Sequence, residues 1–73
     1  MDFVVVVRES ARSMDLLDSD GKLKDLDSLT LLDWVEALER ETMLEIPTAS
    51  LRKDIFESIE TVAKMLANVS SEA

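Results

Sequence analysis

The chain of 73 residues has no cysteine, no histidine and no tyrosine, and only one glycine, one proline and one tryptophan. Without cysteine, neither a disulfide nor a thiolate metal site can reinforce the fold, so a chain long enough for one small core must be held by packing. Without histidine, the commonest general base and metal ligand is missing and a Ser-His-Asp triad is excluded. No enzymatic activity of its own is expected. The scarcity of Gly and Pro, set against 47% apolar residues, points to a compact helical chain with few tight turns rather than to disorder. Bases are scarce as well: 8 Lys and Arg face 16 Asp and Glu, a net charge of −8. Nucleic-acid affinity rests on Lys and Arg displacing counterions, so nucleic acid is not the expected partner, and a basic protein surface is. Long apolar runs are lacking too. Phe3 to Val7 is too short to span a membrane, with no basic segment before it and no small-residue cleavage pattern after it. The expectation is a soluble, cytoplasmic monomer without a membrane partner, a compartment with which the absence of cysteine is compatible.

What the chain does have is helical periodicity. Asp2 can cap a helix over about residues 2–14, whose apolar positions Phe3, Val6, Val7, Ala11 and Met14 recur at spacings of three and four. Val4 to Val7 favour strands by themselves, yet a lone strand would have no partner for its backbone groups, so helix is the reading. A loop follows around Asp18-Ser19-Asp20-Gly21-Lys22, with Leu16, Leu17, Leu23 and Leu26 as its anchors on the bundle. Asp18, Asp20, Gly21, Leu23 and Asp27 match five positions of an EF-hand calcium loop. The first ligand position would be Leu16, which offers no side-chain oxygen, and the last a short Asp in place of Glu, so an ordinary acidic loop is preferred to a metal site.

The clearest period lies in the second helix, about 28–43, where Leu31, Val35, Leu38 and Thr42 form one stripe with Trp34 beside it. The opposite side carries Leu29, Leu32, Asp33, Glu36, Glu39 and Arg40, an acidic face with two large apolar residues near its start. Pro47 disfavours helix at the residue before it and turns the chain. A short third helix is predicted over 48–53. A last one over 55–68 opens on a capping box of Asp54 and Glu57, its face made by Ile55, Phe56, Ile59, Val62, Ala63 and Leu66, with a frayed tail from Val69. The fold class is all-α: a single domain over 1–73, a bundle of three main helices and one short one.

Asp27-Ser28-Leu29 stands at the start of the second helix. Asp and Ser are both favoured N-caps, so a non-catalytic acidic interaction domain, in which Ser28 is only a helix cap, is one reading. The other comes from the surroundings. Ser28 followed by Leu29, an acidic helix, Leu44-Glu45-Ile46-Pro47 nineteen residues on from the serine, and Thr61-Val62 together resemble the acyl carrier and peptidyl carrier protein family over about residues 23–67. The resemblance implies a freestanding, non-catalytic carrier in polyketide, nonribosomal peptide or related biosynthesis. Ser28 would bear a covalent 4′-phosphopantetheine arm supplied from coenzyme A by a phosphopantetheinyl transferase, with Asp27 and Leu29 completing the motif. Acyl or aminoacyl cargo would ride on the arm as a thioester, delivered by a loading enzyme and handed to later enzymes. Leu29, Leu32, Asp33, Glu36 and Glu39, with Glu41 beside them, would meet basic patches on those enzymes. The chain departs from the family pattern in lacking a Gly shortly before the motif, in carrying Glu36 at a position often apolar, and in placing Trp34 where a smaller aliphatic residue is usual. Trp34 has two readings: plain core packing, or filling the space in which some carriers hold a fatty chain.

Overall fold

A computed structural model describes residues 1–72, and these form three α-helices, α1 (Phe3–Ser13), α2 (Ser28–Thr42) and α3 (Ile59–Glu72). Helix α1 forms despite its valines because Asp2 caps it, its side chain accepting from the N–H groups of Val4 and Val5 at 3.1 and 3.4 Å. It packs against both α2 and α3. Val7 and Ala11 are fully buried, Phe3, Val4 and Met14 lie half-buried against the core, and Val5 faces solvent.

The first connection is organised by Asp18 and Gly21. The Asp18 carboxylate accepts from the N–H groups of Asp20 and Lys22 at 2.9 and 3.0 Å, and Gly21 takes a φ of +78° that a side chain would strain. The turn folds Leu17 opposite Leu23 in a single antiparallel bridge, flanked by Asp18 N–H to Lys22 C=O at 2.7 Å and Lys24 N–H to Leu16 C=O at 2.8 Å. Leu16 is buried, and Leu17, Leu23 and Leu26 pack half-buried on the core, as their apolar character predicts.

Helix α2 turns Trp34, Val35, Leu38 and Thr42 inward. Buried Thr42 donates its hydroxyl to Leu38 C=O at 2.7 Å, so the one polar residue of the stripe is satisfied within its own helix. The helix ends on Met43, whose φ of +60° and ψ of 24° are those of a left-handed cap usually given to Gly.

Beyond Pro47 the structure departs from the sequence reading. The short helix predicted over 48–53 is a single 3-10 turn, Thr48–Ser50. Asp54 makes no side-chain cap, Ile55–Glu57 is a second 3-10 turn, and Ser58 is extended, with φ −147° and ψ 161°. The last α-helix therefore starts at Ile59, not Ile55. Its cap is a reciprocal pair: Thr61 N–H donates to the Ser58 hydroxyl at 3.1 Å, and Ser58 N–H donates to the Thr61 hydroxyl at 3.2 Å. Thr61 in turn donates to Ile55 C=O at 2.6 Å, tying the preceding turn to the helix. Asp54 and Glu57 have the right spacing, but a cap must also have an extended backbone, and only Ser58 has one. Helix α3 runs on through Val69, which packs against the core instead of fraying.

One buried cluster joins all three helices through Val7, Ala11, Trp34, Val35, Leu38, Val62 and Leu66. Trp34 is the largest fully buried side chain; its ring lies edge-on to Phe56 with centroids 5.8 Å apart. Burying an indole of this size contributes on the order of 5 kcal/mol. No described helix is long and apolar enough to cross a membrane.

Candidate functional site

The site begins with a division of labour between two adjacent residues. Asp27 is the N-cap of α2: its backbone is extended and its carboxylate accepts from Thr30 N–H at 2.8 Å. That backbone hydrogen bond, with a lesser contribution from the Thr30 side chain, holds the Asp27 carboxyl below its ordinary value of 3.8. Ser28 is the first residue of the helix, is exposed, and its hydroxyl enters no hydrogen bond among the described residues. The capping role open to either residue in the sequence thus belongs to Asp27. The first backbone bond of the helix runs from Leu31 N–H to Asp27 C=O at 2.9 Å. The N–H groups of Ser28 and Leu29 precede it and have no intrahelical acceptor, at the positive end of the helix dipole.

Around this serine lies the exposed face of α2. Leu29 is 76% exposed and Leu32 50% exposed, three residues apart on one side of the helix, with Asp33 and Glu36 exposed beside them. Glu41 is also exposed. Glu39 is not part of this free face. It is half-buried and accepts from Ile46 N–H at 2.8 Å, which fixes the turn leading to Pro47. Its contribution is to hold the connection at the far end of α2, away from Ser28.

Leu26 and Leu31, on either side of Ser28 in the chain, line a recess of about 240 Å³ together with Leu23 and Phe56. The exposed residues Lys24, Asp25, Lys53 and Glu57 also line it. Lys24 is engaged with Asp15, at 3.7 Å from the carboxylate and 3.2 Å from the carbonyl.

The Asp18 carboxylate faces its own backbone donors, and no group of three or more His, Cys, Asp or Glu side chains converges on a common point among the described residues. Two features of the site's support were not identified from the sequence. Ser10 is buried and accepts the indole N–H of Trp34, and Glu39 reaches across seven residues to Ile46. A serine on the apolar side of α1, three residues after Val7, was the available signal for the first; for the second there was none.

Comparison with protein-family models, curated proteins and solved structures returned no match.

Proposed function

We propose that this chain is a carrier protein in which Ser28 bears a 4′-phosphopantetheine arm and, through the arm's thiol, acyl or aminoacyl intermediates as thioesters. The observation that carries this reading is the state of Ser28: an exposed hydroxyl without a hydrogen-bond partner among the described residues, at the first turn of an acidic helix, beside a residue that already supplies the cap.

The chemistry asks little of the chain itself. The Ser28 oxygen bonds to the phosphorus of coenzyme A that carries pantetheine, adenosine bisphosphate leaves, and the hydroxyl proton passes to a base of the transferase. The resulting phosphodiester sits where the N–H groups of Ser28 and Leu29 and the helix dipole favour an anion. Asp27 opposes that anion with its own charge, so its role is to cap the helix and to be read by the modifying enzyme. No group of the chain needs to activate the hydroxyl, which agrees with the absence of histidine.

Leu29 and Leu32 form the apolar centre of the contact with partner enzymes, and Asp33, Glu36 and Glu41 its acidic rim. Rim charges mainly speed encounter and select partners, which suits brief visits to several enzymes with basic surfaces. Tethering the cargo raises its effective concentration at each of them. Modification of the wild-type chain by a transferase with coenzyme A, and its loss in Ser28→Ala, tests the assignment.

A further inference from the structure

Resting on the carrier reading, we propose that Phe56, Trp34 and Ser10 form a plug that closes the interior to whatever Ser28 carries, so that the cargo is a short or polar acyl group held outside the core. The recess lined by Leu26 and Leu31, which flank Ser28 in the chain, has Phe56 in its wall. Phe56 packs edge-on to the Trp34 ring, at 5.8 Å between centroids and 71° between planes, and the Trp34 indole N–H donates to the Ser10 hydroxyl at 3.1 Å. All three are buried, Trp34 completely.

A long alkyl chain entering the core through this recess would have to push this stack aside. Doing so separates the two rings and leaves the indole N–H and the Ser10 hydroxyl without partners in a dry interior, which costs the full desolvation of both. Close packing offers no slack to absorb the movement. The recess itself gives an alkyl chain poor cover, because charged Asp25, Lys53 and Glu57 are among its lining residues. A short or polar group loses nothing by remaining there or in water, since it has little apolar surface to hide.

The test uses the full chain loaded on Ser28 from acetyl- and octanoyl-coenzyme A. Trp34 is the only tryptophan, so its indole N–H gives a single resonance to follow. The expected result is an unmoved indole resonance with either cargo. Hydroxylamine should also cleave both thioesters on the protein at the rates of their free coenzyme A counterparts. An indole shift with octanoyl cargo, together with cleavage slowed about tenfold, as for a chain buried nine-tenths of the time, overturns the inference. Trp34→Leu should create that protection; a folded variant whose octanoyl thioester stays as reactive as on the wild type removes Trp34 from the plug. The wild-type comparison decides the matter without any variant. Failure to load Ser28 overturns the carrier reading beneath this inference, whereas loading followed by burial overturns the inference alone.

Discussion

The indole N–H of Trp34 donates to the Ser10 hydroxyl at 3.1 Å, a buried bond between α2 and α1. Removing the acceptor strands a donor where water cannot reach it. Ser10→Ala should therefore lose about 1–3 kcal/mol of stability, read by urea unfolding. Trp34→Phe removes the donor, and the double variant should cost less than the sum of the two single ones. Strict additivity would show that the bond contributes nothing beyond packing.

Asp27 ties stability to pH. Because its carboxyl titrates below the ordinary value of 3.8 in the folded chain, the unfolded chain binds the proton first as pH falls. The stabilisation is complete above that ordinary value and is lost as pH drops through the lowered one. Asp27→Ala should be less stable than wild type near neutrality, and the gap should close in acid. Asp27→Asn, which keeps a capping oxygen without a titrating charge, should lie closer to wild type near neutrality and, losing none of this stability itself, should overtake wild type in acid. Unfolding curves measured across the acid range check both, and an Asp27→Ala gap constant with pH would contradict the assignment.

Met43 holds a left-handed backbone, φ +60°, while its side chain is 88% exposed. Such a residue gains little from burial and bears the steric penalty of its conformation. Met43→Gly should raise stability by about 1 kcal/mol, seen as a higher urea midpoint with an unchanged slope.

Glu39 fixes the turn after α2 through Ile46 N–H at 2.8 Å. Glu39→Ala should destabilise by about 1 kcal/mol and speed hydrogen exchange at the Ile46 amide, while Glu39→Gln, which keeps an acceptor, should do neither. Substitutions at Leu29 and Leu32 should behave in the opposite manner. Changing either to Ala should leave stability within about 0.5 kcal/mol of wild type, because the side chains are exposed, and should weaken modification by the transferase.

These differences follow the line between what periodicity records and what it does not. The inward stripe of α2 and the leucine anchors of the first loop were legible because each residue's burial follows from its spacing or its isolation in a polar segment. The valine run of α1 was legible by elimination, since no second strand existed to pair with it. The start of α3 was misplaced because Asp54–Glu57 and Ser58–Thr61 both have cap spacing, and backbone conformation chose between them. Ser10 went unread and Glu39 was placed on the outer acidic face because their roles depend on partners 24 and 7 residues away. At the site, the tripeptide around Ser28 was plain in the sequence, but only the structure separated the capping residue from the free hydroxyl.

The most direct measurement is the intact mass of the chain after incubation with coenzyme A and a broad-specificity phosphopantetheinyl transferase. A carrier should gain the mass of one phosphopantetheine, located on Ser28 by fragmentation, and Ser28→Ala should gain none. No added mass on the wild type, or the same addition on Ser28→Ala, would contradict the carrier assignment and leave an acidic helical interaction domain in its place.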